Sequence, residues 1–423
     1  LSYGDYWFFE IRSLGGAITM LSLVLYPYVY LMARAAFLEQ SVSSIEVGCS
    51  LGYSRWRAIW SLALPMARPA IIAGLSLALM ETLADYGTVQ YYGVSTFTTG
   101  IFRTFYGFGD AAAAAQLAAS LLAFVILLVL LERYSRRQAR YHSAAESRAR
   151  ADLIPLVGSK AIMAVAICLV PLILGFIIPA TQLLLWALFE AEPLGWDFVV
   201  LAWNSFSLAF LAAIITVLLA IILSYAKRTK PIKPINTAIT MAGFGYALPG
   251  TIIAIGILIP LAWADHKLMA LFEYMSWDSP GLLLSGSLVA LLFAYTVRFL
   301  AVALGSVQSG LEKIKPSLDH AGGSMGHNPL AILRKIHVPL MRGSILTAVL
   351  IVFVDVLKEL PATLILRPFN FNTMAVRAYE LASDERLVDA APASIMIVIV
   401  GLIPVLMLHA SITRRRPHLH EKF

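Results

Sequence analysis

A segment of 27 residues occurs twice in this chain, 274 positions apart: EVGCSLGYSRWRAIWSLALPMARPAII from Glu46 and HAGGSMGHNPLAILRKIHVPLMRGSIL from His320. In each copy a small-residue stretch, Gly48 to Gly52 or Gly322 to Gly326, leads into a short helix-like run, and a proline stands thirteen positions after the last glycine. Pro65 and Pro339 each open an apolar helix, where the missing N–H is no loss and the fixed φ suits the first turn. A repeat of this size makes the chain two related halves, and paired halves are a common architecture of transport proteins.

Apolar runs decide the medium. The chain is 59% hydrophobic and 13% charged, with a mean hydropathy of +0.79, against a charged content of roughly 25% for an average soluble domain. Nine stretches reach the roughly twenty residues that cross a hydrocarbon core: 14–36, 68–91, 112–131, 160–187, 202–226, 236–262, 282–306, 343–365 and 389–411. The expected class is an all-α polytopic membrane protein. Two cysteines, Cys49 and Cys168, are too few for a disulfide framework or a cysteine metal site. The net charge of +7 sits in short loops between apolar runs, which is the signature of topology and not of nucleic-acid binding.

The basic stretch from Arg133 to Arg150 separates three spans from six. It predicts three segments: a C-terminal part of the first half over 1–132, a basic linker over 133–158, and the second half over 159–423. Lys227, Arg228, Lys230 and Lys233, the linker, and Arg414, Arg415 and Arg416 are basic, whereas Glu190, Glu192 and Asp197 share an acidic loop. Alternating the spans puts every basic segment on one side, the cytoplasm by the positive-inside rule, together with both repeated loops. The loops at 92–111, 188–200, 263–281 and 366–388 then face outward. The second half begins near Lys160, so the 274-residue offset places the start of the first half roughly 110 residues before Leu1, room for three more spans by the length rule. Twelve spans, six per half, are expected of the native protein.

A short helix between two membrane helices makes a rigid cytoplasmic knob, with glycines permitting the tight approach and a proline starting the next helix. Such a knob suits coupling to an external energy source. The sequence contains no G-x-x-x-x-G-K-[ST] phosphate loop, so nucleotide chemistry would belong to another subunit. Gly and Pro punctuating an ordinary loop is the plainer alternative, weakened by the two copies standing in register.

Four acids bear on substrate. Glu81 and Asp85 in the first half superimpose on Asp355 and Glu359 in the second at the same offset. A spacing of four predicts that each pair shares one helical face, and Glu81 would lie roughly 24 Å along a continuous helix from Pro65. Ionisable groups at that depth need a polar cavity or a partner. They either line a cation pathway or form structural ion pairs, for which Lys358 and Arg298 are candidates, or cap helices broken at Gly87 and Pro361. Ala247 to Gly250 interrupts the span at 236–262, a break that belongs in packed protein or beside a cavity. The histidines, His320, His327, His337, His418 and His420 among them, show no metal-ligand spacing, and the identity of any bound metal stays open. Tyr91, Tyr92, Tyr106, Trp196 and Trp277 fit interfacial aromatic belts.

The repeated loop resembles the EAA loop of ABC importer permeases, in which a Glu-Ala-Ala start, a glycine six residues after the Glu and a proline thirteen further on frame a coupling helix. Glu46, Gly52 and Pro65 match it, while the second copy keeps Ala321, Gly326 and Pro339 but has His320 at the Glu position. The stretches from Glu81 to Asp110 and from Asp355 to Pro392 are similar to the fused ferric-iron permeases of that class. The resemblance implies a type I ABC importer transmembrane fold with two parallel repeats, in a bacterial inner membrane. It implies ATPase coupling through Glu46, Gly52, Pro65, His320, Gly326 and Pro339, and a non-enzymatic transport subunit that alternates its access. It implies two cytoplasmic ATPase subunits bearing the Mg-ATP, a periplasmic substrate-binding protein, and no cofactor in this chain. Ferric ion is the expected cargo, with thiamine or a polyamine as alternatives. An ion-coupled secondary transporter is the competing class.

Overall fold

The computed structural model describes residues 10–39, 48–137, 156–278 and 281–414. Glu46, residues 138–155 of the expected linker, Arg415, Arg416, His418 and His420 lie outside the described residues. Among the described residues every regular element is helical. Seven helices are long and apolar enough to cross a membrane, and the pair Pro329–Leu340 and Arg342–Leu357, bent by 78°, makes an eighth if counted as one span. The last expected span, 389–411, falls within the helix Leu387–Arg414.

Three spans differ from their expected course, each at a helix breaker. The span placed at 236–262 is instead two helices, Lys233–Ala242 and Gly250–Tyr274, with a 3₁₀ turn at Gly245–Ala247 between them. The loop expected at 263–281 is therefore helical up to Tyr274. Helices at 68–91 and 343–365 stop at Ala84 and Leu357 and restart at Gly87 and Pro361. Gly and Pro are poor in a helix interior and good at a fresh start, so each break falls at the residue that tolerates it.

The chain divides into two compact units, 1–109 with 116–182, and 110–115 with 183–423. In the first unit, α1 (Leu14–Glu39) packs along α2 (Leu64–Ala84). Their closest approach is at Gly74, where a Cβ would lie 2.8 Å from Tyr28 O and Val29 Cα. The unit also contains most of α3 (Ala111–Arg137) and all of α4 (Ser159–Leu172). A π turn at Ile173–Ile177 follows α4 and rests on α1, with Gly175 so close that a Cβ would sit 2.6 Å from Leu23 O. The segment that follows α4 thus lies against α1.

In the second unit, α5 (Trp196–Thr229), α7 (Leu288–Glu312) and α8 (Arg342–Leu357) pack mutually, beside α6 (Gly250–Tyr274) and α9 (Leu387–Arg414). Ala209, Ala212, Ala213, Thr216 and Ala220 of α5 are buried and recur every three or four residues, while Phe210, Leu211, Leu218 and Ile222 are exposed. Small residues inside and large apolar residues outside is the arrangement of helices whose solvent is lipid, because association there depends on close backbone approach. Gly310 makes the same kind of contact, since a Cβ on it would meet Ser344 at 2.6 Å.

Candidate functional site

The two repeated loops fold alike, step for step. In the first, Gly52 takes φ +88°, Tyr53 N donates to Gly48 O at 3.0 Å and Gly52 N to Cys49 O at 3.0 Å. In the second, Gly326 takes φ +78°, His327 N donates to Gly322 O at 3.1 Å and Gly326 N to Gly323 O at 3.0 Å. Both are helix ends closed through a left-handed glycine, the conformation in which a Cβ is penalised. The next helix is then capped at matching positions, by Ser54 Oγ accepting from Arg57 N at 3.3 Å and by Asn328 Oδ1 accepting from Ala331 N at 2.8 Å. A short helix follows (Arg55–Ala58, Pro329–Ile332), then a π turn (Ile59–Ala63, Leu333–His337), then Pro65 or Pro339 in the first turn of what comes next. Gly48 and Gly322 let the two arms close, since a Cβ would stand 2.7 Å from Leu62 Cδ1 in one copy and 3.0 Å from Ile332 Cγ1 in the other. His320 lies in the helix Pro316–Ser324 that leads into the second glycine turn.

The second knob has a brace that sequence reasoning missed. Arg228, at the end of α5, donates from Nε to Asp319 Oδ2 at 3.0 Å and from its terminal nitrogens to Leu311 O at 2.6 Å and Ile314 O at 2.9 Å. Asp319 Oδ1 lies 2.8 Å from His337 Nε2, and Tyr225 donates to Pro329 O at 2.7 Å. Burial holds the His337 imidazole below its ordinary pKa, against the opposing pull of Asp319. The guanidinium therefore ties α5 to the end of α7 and to the first arm of the loop, and Asp319 and Tyr225 extend the brace to the second arm. The first copy has Ile45 and Ala63 at the positions of Asp319 and His337, so nothing in the repeat itself signals the brace.

The four acids do not sit as two pairs on continuous helices. Glu81 lies within α2 and Asp355 within α8, but Asp85 and Glu359 fall just beyond the helix ends, so only the deeper member of each pair keeps the expected helical position. Asp85 accepts from Thr88 Oγ1 and Val89 N, both at 3.0 Å, and caps the helix Gly87–Tyr91. Glu359 accepts from Ala362 N at 3.0 Å and caps Pro361–Leu366. In addition Glu359 pairs with Arg298 of α7 at 3.2 Å, both groups buried, and Asp355 pairs with Lys358 at 3.0 Å. Val24 and Ala84 stand in the first half where the second has Arg298 and Lys358.

The interrupted span docks onto this buried pair. A Cβ on Gly250 would lie 2.3 Å from an Arg298 terminal nitrogen and 2.4 Å from Glu359 Oε1, and one on Gly245 would lie 2.0 Å from Val297 O. At Gly245 the backbone leaves room for glycine alone, and at Gly250 a larger residue would displace the ends of the Arg298 and Glu359 side chains. Nearby, Tyr295 and Thr363 share a hydrogen bond of 2.5 Å, and Thr363 donates to Glu359 O at 2.6 Å. A separate polar cavity of about 580 Å³ opens between the loop at 191–197 and the segment 370–393, lined in part by Glu192, Asp197, Arg377, Arg386 and Asp389. Among the described residues no group of three or more His, Cys, Asp or Glu side chains is arranged to hold a metal.

Residues 7–141 match the family described as the binding-protein-dependent transport system inner membrane component. Across 406 residues, 95% of this chain and 77% of the other, the sequence is 27% identical to the Fe(3+)-transport system permease protein FbpB 2 of Haemophilus influenzae. Along nearly its whole length the chain resembles binding-protein-dependent ABC permeases. The chain is also 21% identical over 402 residues to the ferric transport system permease protein FbpB of Actinobacillus pleuropneumoniae, covering 88% of this chain and 55% of that one. With the putative 2-aminoethylphosphonate permease PhnV of Salmonella typhimurium it shares 22% identity over 211 residues, 49% of this chain and 74% of that one. The family matched by residues 7–141 is one of inner-membrane transport components.

Proposed function

We propose that this permease passes ferric ion across the inner membrane after a periplasmic binding protein delivers it, with the energy supplied by two cytoplasmic ATPase subunits. The observation that carries the cargo is the likeness to a Fe(3+) permease along 95% of the chain. The phosphonate relative matches only half as much. The carboxylates agree with a hard cation that prefers oxygen ligands, and Glu81, Asp85, Asp355 and Glu359 are the candidates to border its pathway. The reading is supported by Asp85 and Glu359 sitting where helices break, which brings backbone polar groups and carboxylates together.

The ATPases grip the knobs at 46–65 and 320–339. Each knob is an inflexible lever because its glycine turn, cap and inward glycine fix it against the preceding helix. Closing the ATPases draws the knobs together and turns the pathway outward; hydrolysis returns it inward. The test is uptake of labelled ferric ion into liposomes holding the full-length protein, its ATPase and its binding protein, with thiamine and a polyamine as competitors. Uptake that requires ATP and is insensitive to the competitors supports the reading, and uptake of a competitor instead overturns the cargo.

A further inference from the structure

The repeat fixes more than the backbone of the two knobs, because it aligns the side chains they present. Leu51 and Met325 occupy matching positions and are 74% and 75% exposed; Trp56 and Leu330 match and are 73% and 71% exposed. Scattered exposed apolar residues need no explanation. Two large ones at equivalent places on both loops do, since the inward contacts of each knob are already made by Gly48, Ala58 and Leu62 or by Gly322, Ile332 and Ile336. Beyond these shared positions the copies diverge. Trp60 is 66% exposed in the first knob, and its counterpart is the exposed Arg334, followed by the exposed Lys335 where the first copy has Ser61. Trp56 of the short helix and Trp60 of the π turn that follows are four residues apart and both exposed, and Arg57 stands 4.9 Å over the Tyr53 ring next to them. Beyond Glu46 at the start of the first copy and Asp319, which Arg228 holds, residues 47–80 and 321–354 contain no acid, whereas Arg55, Arg57 and Arg68 fall in the first stretch and Arg334, Lys335 and Arg342 in the second. The complementary surface is an apolar cleft with an acidic rim.

We propose that the two knobs hold the ATPase subunits unequally: Trp56 and Trp60 form the principal anchor in an acid-rimmed apolar cleft of one subunit, while Leu330 with Arg334 and Lys335 holds the other subunit more weakly and largely by charge. This rests on the coupling role given to the loops above. Buried tryptophans dominate interface energetics, whereas exposed ion pairs contribute little and fade with salt. Equal ATPase subunits thus meet an unequal permease.

The experiment uses the full chain in nanodiscs, titrated with the ATPase subunit of the same importer at about 0.1 M and about 0.5 M salt. Replacing Trp56→Ala with Trp60→Ala should weaken binding by at least about tenfold at both salt levels. Replacing Leu330→Ala with Arg334→Ala should weaken it by only about threefold, and only at the lower salt. The transplant Leu330→Trp with Arg334→Trp should tighten binding and remove its salt dependence, which guards against a loss that merely reports damage. Equal losses from the two knobs, or a larger loss from the second, would overturn the inequality and leave the coupling role standing. No loss from either knob would overturn both. Should the tryptophan variant lose affinity for phosphatidylglycerol vesicles while its ATPase affinity is unchanged, the tryptophans serve the lipid surface and the proposal fails.

Discussion

Gly52 and Gly326 show how a single residue type was readable before any coordinates. Both adopt positive φ, and a left-handed turn between two helices is the position where the absent Cβ matters most. A bulky replacement, Gly52→Leu or Gly326→Leu, adds strain of about 1–2 kcal/mol at the turn and tilts the knob. Expression should persist while ATP hydrolysis no longer drives uptake; normal uptake in both variants would contradict the coupling role. The acids were half legible. Their register followed from the repeat, Lys358 and Arg298 were candidates as a chain neighbour and as a basic residue on another span, and capping beside Gly87 and Pro361 was one of the open readings; that Glu359 both caps and pairs with Arg298 depends on where the helix breaks and which helices meet. Removing one member of the buried pair should cost about 3–5 kcal/mol, because the other charge is left in a dry site. Thermal unfolding in nanodiscs should therefore fall sharply for Arg298→Met and recover in the double variant Arg298→Met with Glu359→Gln. Equal stability of all three proteins would show that the pair bears no such weight.

At the scale of elements, apolar length located the spans and breakers located their interruptions, but not which side of a breaker the membrane helix would take. Pro249 and Gly250 begin α6 instead of bending a helix centred on them, since Gly250 must approach the Arg298–Glu359 pair closely and Gly245 must approach Val297. The π turns at Ile59–Ala63 and Leu333–His337 have no local sequence signature, although they repeat in register. The brace of the second knob was invisible for a different reason: Arg228 and Asp319 are 91 residues apart, and no periodicity links them. Asp319→Asn or Arg228→Ala should loosen that knob alone. Amide exchange over 320–337 should accelerate roughly tenfold or more while 48–63 stays unchanged, as expected when a charged hydrogen-bonded anchor is removed from one locally folded unit. Unaltered exchange in the second loop would refute the brace.

Over the whole molecule, the repeat and the membrane class were legible because both are written in long-range periodicity and composition. The packing of the segment after α4 against α1 was not, because close contacts such as Gly175 on Leu23 O depend on which helices meet. The central claim is that this permease moves ferric ion only when ATPases act on its knobs. Its most direct test is uptake of labelled ferric ion by proteoliposomes containing the full-length protein, its binding protein and its ATPase, with and without ATP. Accumulation that appears only with ATP, and is lost in the Gly52→Leu and Gly326→Leu variants, is the expected result. Ferric ion accumulating without ATP, or an ATP-driven cargo other than ferric ion, would contradict it.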